Sequence, residues 1–436
     1  MSTLDRRDFV RFAFASGLAA GLASCTRAAR PTAAAAPSPR APHDPPSPRA
    51  AAAAPIGAGR ARACILLYMA GGPSQIDTFD PKPGAEGAAG MRAIATDVDG
   101  VRLGELLPGL ARHAGRMAVI RSIVSAEGNH ARAVHLMHTG YAPGGGVQHP
   151  AFGAIVGAER GGGPLPGYVA IGGPGADAGF LGAAYSPFAV LAPARPVRNL
   201  HRFRDLDAAH FDQRLALRRQ LDGEFAAAHT SPTVDGQMAV NERAVAMMNA
   251  AKVAAFNLDG EPAGVRQSYG QTDFGVGCLM ARRLVEAGVP FVEVTLKGWD
   301  THFDHQNRIR PLCQELDQGM SALLADLAAR GLLDSTLVVW AGDFGRTPEI
   351  SARGGRDHYP QVTPAVLAGG GVRGGQVIGA TDDRGRAVIE GKLAVPDLFA
   401  SICAALGLDP DRSRMSPEGR PLTTVNKGVR IDGLFA

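Results

Sequence analysis

Apolar runs recur along the chain between polar and glycine-rich breaks: CILLYMA at 64–70, RMAVIRSI at 116–123, PFVEVTL at 290–296, STLVVWAG at 335–342 and PAVLAGGG at 364–371. They are short and rich in aliphatic and β-branched residues, a pattern that predicts strands buried on both faces. Two intervening segments, GVGCLMARRLVEAG and LCQELDQGMSALLADLAARG, carry apolar residues at the helical period instead. Strands separated by helices predict an α/β fold, a doubly wound, mostly parallel sheet flanked by helices, over residues 61–436. From about 190 to 270 the pattern changes. HRFRDLDAAHFDQRLALRRQLDGEFAAA and NERAVAMMNAAKVAAF are helical and polar on one face, so this stretch is expected to be a helical insertion.

Ahead of the first strand the pattern stops being structural. DRRDF pairs Arg6 with Arg7, and the apolar VRFAFASGLAAGLAS that follows is too short to span a bilayer. The segment resembles a twin-arginine export signal. It closes on LASC, a lipoprotein-type processing box, so residues 1–25 are expected to be the signal and Cys25 the lipidated residue. Residues 26–60 are mostly Ala, Pro and Arg, which bury too little to offset the entropy of ordering, and read as a tether. Membrane contact is expected only through that anchor, in the periplasm or cell envelope. Cys64, Cys278, Cys313 and Cys403 each fall within an apolar pattern and read as buried free thiols.

Composition narrows the classes. With 436 residues, 45% hydrophobic and 20% charged, the chain suits an ordinary enzyme-sized domain, and its net charge of +4 owes much to N-terminal arginines. There is no basic stripe interleaved with aromatics, so nucleic acid is not an expected partner.

Candidate chemistry clusters at strand ends. GWDTHFDH follows PFVEVTL directly, and its Asp300, His302 and His305 sit where open α/β sheets hold ligands. Asp343 follows the strand STLVVWAG, and His358 in GGRDHY precedes the next one. Carboxylates and imidazoles without sulfur suit a divalent zinc, manganese or iron ion. His302 and His305 are alternative ligands on the same loop. Ser74 and Asp77 lie in a Gly-rich turn after the first strand that suits either an anion or a plain tight turn, and His135 and His138 share one helical face.

These segments carry a resemblance. DTHFDHQN, then CQELDQGMSALLADL, VVWAGDFGRTP and GRDHYPQVTPAVLAGG, are similar in order and spacing to the carboxyl half of the alkaline-phosphatase-like superfamily, especially phosphopentomutases and cofactor-independent phosphoglycerate mutases. That resemblance implies two metals, with Asp300, His305 and His358 ligating one and Asp343 the other. MAGGPSQIDTFDPKPG, GFLGAAYSPF and the run from YGQTDFG to GWDTH look like an exported bacterial family of the alkaline-phosphatase/sulfatase-like superfamily, domain of unknown function 1501, across about 62–430.

The chain also departs from the superfamily. Glycines in YMAGGPS stand where an Asp follows the first strand, and Phe344 stands where a metal-binding His would follow Asp343. In NHARAVHLMHTG, aligned on Thr139 and Gly140, Asn129 or His130 takes the place of a Ser, Thr or Cys nucleophile. No run carries the Cys or Ser context of a sulfatase formylglycine. His130 is expected as a metal ligand or proton carrier, His302 as an alternative proton carrier, and Arg346 or Arg132 as an anion clamp. The expected activity is metal-dependent hydrolysis of phosphate or sulfate esters, on a small-molecule or polymer substrate. The alternative is a non-catalytic envelope module that binds a polyanionic polymer or a protein.

Overall fold

The computed structural model describes residues 59–435 except 162 and 203–205; the expected signal and nearly all of the tether lie outside the described residues. The main sheet has nine strands: β1 (Ala63–Ala70), β2 (Met117–Val124), β3 (Tyr168–Ile171), β4 (Phe188–Val190), β5 (Phe291–Lys297), β6 (Thr336–Gly342), β7 (Thr363–Ala368), β8 (Gln376–Ile378) and β9 (Leu393–Ala394). Their spatial order is β8-β2-β7-β6-β1-β5-β3-β4, with β9 also beside β2. Every pairing is parallel except those of β7, which runs antiparallel to both β2 and β6. The mostly parallel α/β sheet expected from the apolar runs is thus observed, with one strand reversed.

Alternation along β1 shows how the sheet holds its two helical layers. Ile65, Leu67 and Met69 belong to a core with helices α5 (Asp273–Glu286) and α6 (His305–Ala329). Cys64 and Tyr68 face the other core, with α1 (His130–Thr139), α2 (Phe152–Arg160) and α7 (Val395–Leu406). Two further helices, α3 (Ala208–Ala228) and α4 (Pro232–Met248), lie between β4 and β5 in sequence, and α3 buries no residue at all. The four described cysteines are buried and free.

Topology gathers the site. In neighbouring parallel strands the carboxyl ends share one edge, so β6, β1 and β5 deliver Asp343, Gly71 and Asp300 side by side. β2 ends at that edge too and leads to α1, which opens at His130. Because β7 is reversed, its entry is at the same edge, and it brings His358 there from the amino-terminal side.

Candidate metal centre

His130, Asp300, His302 and His358 come together at this edge, with ligand-capable atoms all within 4.8 Å of one another. The Nε2 atoms of His302, His130 and His358 lie 3.1, 3.3 and 3.5 Å from Asp300 Oδ1. His302 Nε2 and His358 Nε2 are 2.9 Å apart. The four donors of a tetrahedral zinc ion with bonds of about 2.0–2.1 Å lie about 3.3 Å from one another, so these spacings fit one ion.

The outward nitrogens decide the tautomers. His358 Nδ1 faces the Gly128 carbonyl at 2.8 Å and must donate to it, which leaves a lone pair on the inward Nε2. His302 Nδ1 meets Asp357 Oδ1 at 2.7 Å, and His130 Nδ1 meets Asp343 Oδ2 at 2.6 Å. Each imidazole is therefore held by an acceptor behind it, the usual arrangement of a metal-ligating histidine. His130 Nε2 is buried and has no hydrogen-bond partner. Neutral imidazoles and a carboxylate oxygen aimed at one point repel each other unless a cation or a shared proton sits between them, and three imidazole nitrogens with one carboxylate oxygen are a donor set that fits a divalent ion.

Electrostatics separate the members of the group. The hydrogen bond to Asp343 holds the His130 imidazole above the usual histidine range, against the effect of burial. Burial pushes His358 down, and the charges of Arg346 and the neighbouring imidazoles push the same way. Burial alone would raise the Asp300 carboxyl, but the Arg346 guanidinium and the imidazoles outweigh it and hold the group below the usual range.

A family model described as "Protein of unknown function (DUF1501)" matches residues 61–435. The chain belongs to the DUF1501 family. Among solved structures it aligns with the PsFucS1 sulfatase from Pseudoalteromonas sp., at 12% identity over 87% of this chain and 72% of that one, with a TM-score of 0.42. It also aligns with the lipoteichoic acid synthase LtaP from Listeria monocytogenes, at 11% identity over 86% and 78% of the two chains and a TM-score of 0.39. A third is the alkaline phosphatase from the Antarctic bacterium TAB5, at 12% identity over 80% and 99% and a TM-score of 0.36. A search of curated proteins gave no sequence match.

Other expected site residues of this DUF1501 chain are placed elsewhere. His305 does not join the group. It is buried in a separate constellation, with Nδ1 2.7 Å from Thr301 Oγ1 and Nε2 2.8 Å from Asp77 Oδ2. Asp304 between His302 and His305 has a φ of 48°, a left-handed kink that turns the start of α6 inward. Asp343 stands behind His130 rather than inside the group, and it also accepts from Tyr68 Oη and, at 3.2 Å, from the Gly71 amide. Arg346 is fully buried and cannot clamp a substrate. Its guanidinium donates to the Gly71, Gly72 and Arg356 carbonyls and to Asp300 Oδ1 at 2.6 Å. Arg132 is engaged by both oxygens of Glu127 at 2.6 Å. Ser74 and Asp77 are buried beneath the turn, and His138 pairs with the buried Glu293 at 3.3 Å.

Asn129 caps α1, so His130 is the first helical residue at the place of the absent nucleophile. Gly71 explains the missing carboxylate after β1. Its φ is 111°, and a Cβ there would lie 2.5 Å from the Asp300 amide nitrogen. Asp357, Tyr68 and the Gly128 carbonyl are the supports that sequence reasoning did not single out. Only Asp357 carried a signal, as the acidic neighbour of His358 at a strand edge.

Proposed function

We propose that the protein is an exported metal-dependent hydrolase of phosphate or sulfate esters, with the ion held by His130, Asp300, His302 and His358. The observation that carries this reading is the convergence of three imidazole Nε2 atoms and one carboxylate oxygen at the carboxyl edge of the sheet. The four side chains remain 27–45% exposed, so the centre lies at the surface where a substrate can approach it. The ester class rests on the motif order shared with alkaline-phosphatase-like enzymes. The chemistry a bound ion supplies there is Lewis-acid polarisation of a phosphoryl or sulfuryl oxygen and activation of water near neutral pH.

The chain's own residues orient the site. Asp343, Asp357 and the Gly128 carbonyl fix the three imidazole tautomers, and Arg346 fixes Asp300. An imidazole that ligates through Nε2 has no lone pair left for a proton. The proton-carrier role expected of His130 or His302 therefore falls to Asp357, which holds His302 Nδ1 at 2.7 Å and whose side chain is about half exposed. His130 opens α1 at the place where a Ser, Thr or Cys nucleophile would stand, so hydrolysis is expected to proceed without a covalent intermediate on such a side chain.

Elemental analysis of protein purified without a metal-affinity tag, followed by a screen of phosphate mono- and diesters and sulfate esters, tests this. Bound divalent metal and turnover of one ester class are expected, both lost in Asp300→Ala. Metal content unchanged in Asp300→Ala, His302→Ala and His358→Ala alike would remove the reading. One observation favours a non-catalytic envelope module: four protein donors already complete a tetrahedron. For that module, phosphate and sulfate would leave the visible spectrum of the cobalt-loaded protein unchanged. Export rests on Arg6, Arg7 and the LASC box; Cys25→Ala should release the protein from membranes still folded.

A further inference from the structure

We infer that the centre is built for a single divalent ion, and that Arg346 and Arg356 permanently supply the positive charge that a second ion would bring. This rests on the metal reading above and concerns the number of ions, which the motif order by itself would put at two.

The carboxylates around the centre are the place to look for a second site, and the two buried ones, Asp343 and Asp77, have both oxygens taken. Asp343 Oδ1 accepts from Tyr68, and its Oδ2 from His130 and Gly71. Asp77, fully buried, is held by Arg356, whose Nε lies 2.8 Å from Oδ2 and whose Nη2 lies 3.3 Å from Oδ1. His305, the remaining imidazole on this loop, has both ring nitrogens engaged, and Arg356 Nε is 3.1 Å from its Nε2. Asp300 carries Arg346 Nη2 at 2.6 Å, closer than any of the three imidazole nitrogens. Among the described residues no other set of three His, Cys, Asp or Glu side chains lies close enough to hold an ion.

Neither arginine is free to leave. Both are fully buried, and backbone carbonyls pin both: Gly71, Gly72 and Arg356 for Arg346, and Thr347, Pro348 and Gly87 for Arg356. An anchored guanidinium beside Asp300 and another beside Asp77 repel a second cation and neutralise charge that would attract one. Phe344 closes the same region, its ring 5.0 Å from that of His130 and 4.6 Å from that of His358.

The test is a cobalt(II) titration of chelator-treated full-length protein, followed by visible absorption, with zinc content measured in parallel. Absorption that saturates at one equivalent, and one zinc per chain after dialysis, are expected. Two equivalents in the wild-type protein would overturn the single-ion inference and leave the proposed hydrolase standing; zero would overturn both. His305→Gln supplies an independent arm, with near-UV circular dichroism confirming that the variant is folded. It should still bind one equivalent with an unchanged spectrum, and loss of the ion from the folded variant would make His305 a ligand and overturn the inference. Should that variant not fold, the wild-type stoichiometry alone decides.

Discussion

Two histidine-aspartate constellations sit within a few residues of each other, and they solve the same charge problem in opposite ways. In the buried one, Asp77, His305 and Arg356 bring their cation with them as a guanidinium. In the exposed one, His130, Asp300, His302 and His358 present only lone pairs and a carboxylate to a common point. Loop 299–305 feeds both, with Asp300 and His302 facing the edge and His305 turned inward. One constellation is complete as folded. The other is completed from solution, and that difference separates a structural pin from a candidate reaction centre.

The largest effect that would break this comparison lies on the buried side. Removing one partner of a buried ion pair leaves the other uncompensated, so Asp77→Ala should cost about 3–5 kcal/mol in urea unfolding whether or not metal is present. A loss that depends on metal would mean that the two constellations are not independent. On the exposed side, zinc at about a hundred times its Kd should add about 2.7 kcal/mol to wild-type stability. Calorimetric melts of His302→Ala and His358→Ala should show no such gain. Asp343→Asn and Asp357→Asn keep the ligands but weaken the acceptors behind them, and should lower zinc affinity by about 10–100-fold in competition with a chelator.

The smallest effect at ordinary pH is an acid dependence. Burial opposes the ionised Asp77, but Arg356 and His305 hold its carboxyl below the usual range. A depressed carboxyl contributes stability above its unfolded value, near pH 4, and loses it as pH falls through the folded value. Chelator-treated wild-type protein should therefore lose stability with acid below about pH 4 more steeply than Asp77→Asn.

Much of the fold was legible because its information is periodic. The runs at 64–70, 116–123, 290–296 and 335–342 became β1, β2, β5 and β6 within a residue or so. The run at 364–371 became β7 but ends at Ala368, since Gly369, Gly370 and Gly371 all have positive φ. Its reversed direction was not legible, because burial on both faces looks the same in either orientation. Tyr168–Ile171 and Phe188–Val190 are too short to show a period. At the site, residue type and strand-end placement picked out His130, Asp300, His302 and His358 but also His305, Asp343 and Arg346. Spacing could not show that a left-handed Asp304 sends His305 into the interior, nor that three carbonyls from two loops would consume the Arg346 guanidinium.

Gly71 sets a limit on how this protein can change. A carboxylate after β1 and the present course of the Trp299–Asp300 backbone exclude each other, because any Cβ at position 71 would occupy the space of the Asp300 amide. Reinstating that acid by a single substitution would push Asp300 out of the ligand group it now completes. Gain of one cation site at this edge would come at the expense of the other.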